Sequence, residues 1–239
     1  MAVLNRRIVA CERCPRLRDY CRKVAVEKRS AYRNWTYHGK PVPNFGDAKA
    51  RMLIVGLAPG AHGANRTGRM FTGDRSGDFL YRALFEVGLA NQPTSMQADD
   101  GLKLHDALVT AALHCAPPDN KPLPDELANC TVWLDATFDI LHKLRVVVCL
   151  GRIAFDAVMR LYQRRGWIER RSAYAFGHGV VHRIADRPTV VCSYHPSQQN
   201  TFTGKLTPGM MRAVMEQARV LSRKRLGDAH RHDAARLNE

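Results

Sequence analysis

The chain has 239 residues, enough to bury a proper core in one sizeable α/β domain, so its stability does not depend on disulfides. Its 37 Lys and Arg against 22 Asp and Glu leave a formal charge of +15, more than solubility requires, which points to a polyanionic partner rather than to a merely solvated basic surface. No stretch approaches the roughly 20 apolar residues of a membrane span and the amino terminus lacks the apolar core of a signal peptide, so the expectation is a soluble, cytoplasmic protein.

In chain order, residues 1–51 come first and hold thirteen Lys or Arg against four Asp or Glu, which makes the amino-terminal fifth the expected basic face, with Arg16, Arg18 and Lys23 as expected phosphate contacts. Within it, Cys11 and Cys14 form a C-x2-C pair. Arg51–Leu57 reads as a short buried strand and runs into a loop, Gly56 to Gly77, that holds six glycines. A helix pattern follows over Gly77–Val87, with Phe79, Leu80, Ala83, Leu84 and Val87 on one stripe. Ala107–Leu113 is a second strand and leads to Cys115 and the Pro-rich turn HCAPPDNKP. Asp125–Leu144 reads as a helix that carries Cys130, Arg145–Leu150 as a third strand, Ala154–Tyr162 as a helix and Thr189–Ser193 as a fourth strand. The turn SYHPSQQN and a helix over Met210–Leu226 close a single domain of residues 1–226, leaving 227–239 as an expected disordered tail.

Strands that alternate with helices imply a parallel sheet covered on both faces, and in such sheets ligands bind beyond the carboxyl ends of the strands. The glycine loop, the Pro-rich turn and SYHPSQQN all fall at that edge. The loop lacks both the G-x4-G-K-[ST] phosphate loop and the G-x-G-x2-G dinucleotide fingerprint. Seven cysteines in a cytoplasmic chain ask for a metal before a disulfide. Cys11, Cys14, Cys115 and Cys130 suit either a [4Fe–4S] cluster or a tetrahedral zinc, with Cys21 as a spare ligand; Cys149 and Cys192 sit in strands as small apolar residues.

The order C-x2-C-P, strand-GLAPG, FTGDRSG, C-x-P-P-x-N-x-P, a further cysteine and H-P-S-x-x-N resembles the iron–sulfur uracil-DNA glycosylases, most of all their family 5, or type b, branch. The resemblance runs from Cys11 to about Gly204. It implies a three-layer α/β/α fold around a four-stranded parallel sheet, and a structural [4Fe–4S] cluster on Cys11, Cys14, Cys115 and Cys130. It also implies an enzyme that flips uracil out of duplex DNA, with single-stranded DNA a further partner, and hydrolyses the N-glycosidic bond as a nucleoid-associated monomer. In the pocket so implied, Gly56 and Ala58 border the base, Phe71 stacks on it, Asn120 reads its Watson–Crick edge and His195 donates to uracil O2 as the anion leaves. Ala58 stands where several other families carry an acidic or amide residue. That leaves Asp74 as the carboxylate to orient water or stabilise the sugar cation, against a plain role as a helix cap. Gly60, Ser76, Gln199, Asn200 and Lys205 are the implied DNA contacts, and the branch implies further substrates: hypoxanthine, xanthine and etheno-cytosine. The same residues without the resemblance read more blandly: Phe71 as a loop anchor, Asn120 as turn chemistry and His195 as a strand-end histidine. Two rivals are a non-catalytic iron–sulfur DNA-binding module and an iron–sulfur redox enzyme.

Overall fold

The computed structural model of the protein describes residues 1–223. Ten charged positions interrupt the first 27 residues, and two helices form there, α1 (Ala2–Val9) and α2 (Pro15–Glu27). Pro15 opens α2 because the missing N–H of a first-turn proline costs nothing there. After a two-residue strand β1 (Phe45–Gly46), the first long apolar run becomes β2 (Met52–Gly56), buried throughout. The glycine loop carries a one-turn helix α3 (Ala64–Thr67) and ends at α4 (Arg75–Glu86). There follow β3 (Ala107–Ala111), α5 (Pro124–Ile140), β4 (Val146–Leu150), α6 (Arg152–Arg164), β5 (Val181–His182), β6 (Thr189–Ser193), α7 (Gln198–Phe202) and α8 (Pro208–Arg223).

One sheet runs in the order β1-β3-β2-β4-β6-β5. It has six strands rather than the four expected. The long strands β3, β2, β4 and β6 pair in parallel, and β1 and β5 add antiparallel edges to β3 and β6. A two-residue strand has no periodicity to read, which is why both edges were invisible in the sequence. Side chains alternate across the pleat. Met52 and Ile54 of β2 pack with Leu80, Tyr81 and Leu84 of α4 and with Met211 and Met215 of α8, whereas Leu53 and Val55 pack with Leu134 and Phe138 of α5 and with Phe155 and Val158 of α6. The result is three layers. Two smaller apolar clusters fasten α2 to the segment after β3 through Leu17, Leu113 and Ala116, and α1 to α5 through Ile8 and Trp133.

Helix limits moved by a few residues from those read. α4 starts at Arg75 because Asp74 caps it, and α5 ends at Ile140, with Leu141 turned out of helical geometry at φ −84°, ψ 66°. The expected tail 227–239 and the end of the last helix lie outside the described residues.

Candidate active site

The glycines of the loop after β2 are required by what touches them. A Cβ on Gly56 would lie 2.7 Å from Cε2 and Cζ of Phe71, and one on Gly77 would lie 1.9 Å from the Phe71 carbonyl oxygen. Phe71 itself has φ +52°, a conformation that costs an L-residue unless its surroundings over-determine it. They do. The buried Tyr81 hydroxyl donates to Met70 O at 2.7 Å, Ser95 Oγ donates to Phe71 O at 3.3 Å and shares a 2.7 Å bond with Thr72 Oγ1. Arg69 donates to Thr72 Oγ1 and Ser95 Oγ and forks onto both oxygens of Asp100 at 2.8 and 2.7 Å. Phe71 is thereby set against His195, ring centroids 5.9 Å apart and planes 32° from parallel.

Asp74 caps α4, one carboxylate oxygen accepting from Gly77 N at 3.0 Å. Its second oxygen faces glycines, since a Cβ on Gly63 would stand 2.0 Å from Oδ2 and one on Gly60 3.0 Å from it. Burial pushes the carboxyl pKa up, against the N–H groups of Gly77 and Ser76, which favour the anion. His195 follows β6 and is positioned by Gly151, whose φ of +93° brings a would-be Cβ within 3.2 Å of the His195 Cβ, and by Asn200, which donates to the His195 carbonyl at 2.9 Å. Burial lowers the imidazole to about 4, so it is neutral at physiological pH. Asn120 is exposed, at the end of the Pro-rich turn, where both Asp119 and Asn120 take positive φ, 54° and 57°.

Ala58, Gly60, Phe71, Asp74, Ser76, Asn120, His195 and Gln199 border one cleft of about 810 Å³ beyond the carboxyl ends of β2, β3 and β6. Three expected contacts stand apart from its wall. Gly56 lies under the Phe71 ring, Asn200 is turned back to the His195 carbonyl, and Lys205 Nζ sits 4.9 Å above the Tyr194 ring. Of the expected phosphate contacts of the amino-terminal segment, Arg18 is buried, while Arg16 and Lys23 pair with carboxylates and remain exposed. Arg16 forks onto Glu126 at 2.7 and 2.9 Å, Arg18 is 3% exposed and donates to Gly39 O, and Lys23 faces Glu27 at 3.7 Å. Such internal pairing cannot be seen in a count of charges. The cleft adds residues the sequence did not single out: Arg29 and Arg75, which are exposed at the rim, Tyr20, Tyr32, and His62, whose Nδ1 is 3.0 Å from the Tyr37 hydroxyl. Arg75 and His62 lie inside the glycine loop and could have been found there; nothing local marks the two tyrosines.

Cys11, Cys14, Cys115 and Cys130 line a second, small cavity with Leu17, Leu113 and Trp133. Among the described residues no three His, Cys, Asp or Glu side chains converge as ligands of a single ion. The four thiols instead ring a space. Burial raises the Cys14 thiol and pushes Cys130 up to about 12, with Cys11 and Cys14 as electrostatic neighbours of Cys130. Cys21 is off this wall, its thiol donating to Ala116 O at 3.7 Å and lying beside that of Cys115. Cys149 and Cys192 are buried as register partners of β4 and β6.

A three-layer α/β fold with a cleft at the strand ends defines the class, and the comparisons agree. The family model described as the uracil DNA glycosylase superfamily matches residues 43–219, and the chain belongs to that superfamily. Over 220 residues it is 47% identical to the type-5 uracil-DNA glycosylase of Mycobacterium tuberculosis (strain CDC 1551 / Oshkosh), covering 92% of this chain and 81% of that protein. It is 46% identical over 215 residues to the type-5 uracil-DNA glycosylase of Thermus thermophilus, covering 90% and 95% of the two, and 44% identical over 212 residues to that of Pyrobaculum aerophilum, covering 89% of each. Its place within the superfamily is the type-5 branch.

Proposed function

We propose that the protein is a monofunctional uracil-DNA glycosylase that takes a flipped uracil into the 810 Å³ cleft and hydrolyses its N-glycosidic bond to leave an abasic site. The observation that carries this reading is the cleft itself, which is lined by a ring to stack on, a carboxamide, a neutral imidazole and a half-buried carboxylate. Phe71 stacks on the base and Asn120 pairs with O4 and N3–H, a carboxamide being able to accept and donate in one plane. As the bond to C1′ lengthens, the base leaves as an anion and His195 donates a hydrogen bond to O2. A neutral imidazole does this without carrying a proton that would have to be returned. Asp74 holds a water against the other face of the sugar and stabilises the cation; the water adds its oxygen to C1′ and gives up a proton to the carboxylate. No lysine borders the cleft among the described residues, so an imine with the sugar, and strand cleavage through it, has no amine to form it.

The four thiols hold a [4Fe–4S] cluster. Thiolates ringing a space suit a cluster, where each binds a different iron, better than one zinc, which needs its sulfurs about 3.8 Å apart. Bound there, the cluster would tie the link between α1 and α2 to the end of β3 and to α5. The substrate range extends to hypoxanthine, xanthine and etheno-cytosine, since Ala58 leaves the floor of the pocket without a polar side chain to reject them. The expected setting is nucleoid DNA, duplex or single-stranded, with the protein acting as a monomer. A non-catalytic DNA-binding module would leave the grouping of Phe71, Asp74, Asn120 and His195 without a use.

Single-turnover incubation with duplexes carrying one uracil, hypoxanthine, xanthine or etheno-cytosine, followed by alkaline cleavage, tests the activity. Asp74→Asn should abolish most of it with melting temperature nearly unchanged, because an amide oxygen still caps α4. A variant that loses rate and stability together would reduce Asp74 to a cap. Anaerobically prepared protein should be brown and contain four irons per chain, as a [4Fe–4S] stoichiometry requires. Colourless protein with stoichiometric zinc would overturn the cluster.

A further inference from the structure

Arg66 on α3 is 3% exposed, and a guanidinium is among the costliest groups to bury. It sits in the corner of two aromatic rings set at 81° to each other, with Cζ 3.9 Å from the Tyr32 centroid and 4.2 Å from that of Trp35. Nε donates to His62 O at 2.8 Å and Nη2 to Gly73 O at 2.8 Å, while buried Nη1 has no protein partner. The two carbonyls flank Asp74 on both sides: Gly73 precedes it in the chain, and His62 precedes Gly63, the glycine against which its Oδ2 rests. Gly73 has φ +78°, and a Cβ there would stand 2.5 Å from Nη2. An arrangement with two aromatic contacts and two bonds to loop carbonyls is more than a buried cation needs for solvation. It fixes the backbone on either side of one carboxylate.

We propose that Arg66, held in the corner clip of Tyr32 and Trp35, is a positioning residue for Asp74: its fork on the His62 and Gly73 carbonyls sets the carboxylate toward the cleft. The inference rests on Asp74 being the acting carboxylate. Charged and titratable groups around Asp74 are Asp78 and Tyr81 on α4, Arg66 on α3, His62 in the glycine loop, His195 and Asp119 across the cleft, and Arg29 and Arg75 at its exposed rim. Of these, Arg66 is the buried cation, and with the N–H groups of Gly77 and Ser76 it opposes the upward push of burial and of Asp78. Because Tyr32 also borders the cleft, the aromatic clip ties the amino-terminal segment to the chemistry.

The test is single-turnover excision of uracil across pH by Arg66→Gln, Arg66→Lys, Asp74→Asn and the double variant Asp74→Asn/Arg66→Gln, with duplex binding measured alongside. Arg66→Gln should lower the plateau rate roughly tenfold or more with duplex affinity kept, and move the acid limb up by roughly half a pH unit or more. Arg66→Lys should restore the acid limb but not the rate, because an ammonium keeps the charge and loses the planar fork. The double variant should be no slower than Asp74→Asn alone, as expected when one residue acts through the other. Wild-type rate and limb in Arg66→Gln, or losses that multiply in the double variant, would overturn the proposal. Full activity in Asp74→Asn would instead overturn the reading of the carboxylate on which it rests. Should Arg66→Gln not fold, Trp35→Leu opens the clip with the charge in place: a lowered rate on an unshifted acid limb supports positioning, and an unchanged rate refutes it.

Discussion

Asp74 divides its two oxygens between structure and chemistry, and the glycines around it make that division testable. A methyl on Gly63 would stand 2.0 Å from Oδ2, so Gly63→Ala must swing the carboxylate away from its place; the single-turnover rate should fall by roughly a hundredfold with duplex affinity kept. Gly77→Ala meets the Phe71 carbonyl at 1.9 Å, where backbone has to move, and should show mainly as a lower melting temperature. Protonation follows the same logic. Asp74, raised by burial, must be ionised to act, so the rate is full above its raised pKa and is lost as pH falls through it. His195 acts neutral and at about 4 does not titrate near neutrality, so it adds no limb there. The rate of excision followed downward from neutral pH should show an acid limb set by Asp74, and His195→Gln should lower the plateau without moving that limb.

At the scale of elements, the stretch between α4 and β3 works as a brace for the strained turn at Phe71. Its Asp100 would be raised by burial, but hydrogen bonds from Arg69 and from the N–H groups of Leu102 and Met96 outweigh that and leave it at about 2. A depressed carboxylate contributes stability that is full above its ordinary value and is lost as pH falls through about 2. Arg69 and Asp100 are 5% and 11% exposed, so Arg69→Met strands a nearly buried charge and should cost about 3–5 kcal/mol in denaturant titration. It should slow excision too, by releasing Thr72 and Ser95 and with them the Phe71 backbone. A stability unchanged by Arg69→Met would show that the brace is idle.

For the whole molecule, the charge of +15 matters through its placement. Affinity for DNA should fall with salt at about 0.9 log units per log unit for each phosphate neutralised. Arg29→Ala and Arg75→Ala, at the exposed rim of the cleft, should each reduce that slope by about one such step, while Arg18→Ala should lower the melting temperature and leave the slope alone. A slope insensitive to both rim variants would put the DNA on another face.

The four long strands, the helices that cover them, the glycine loop and the Pro-rich and His-Pro turns were all legible along the chain, because each depends on a local pattern: an apolar run, a helical stripe, glycines where backbone must turn. Spacing and order were enough to set Phe71, Asp74, Asn120 and His195 at one edge. Tertiary structure alone decided the rest. The edge strands β1 and β5 have two residues each and exist only through their neighbours. Arg18, Arg66 and Arg69 count as surface charge in a composition, yet all three are buried, because their partners (Gly39, Gly73 and Asp100) lie close in space for reasons no local pattern carries. The sequence by itself determined that the glycine loop and the two turns meet at one edge of the sheet. Packing determined which side chains are free to meet DNA and which are used to hold the others still, since a side chain's hydrogen-bond partners and its access to water are properties of the folded surroundings and not of the residue.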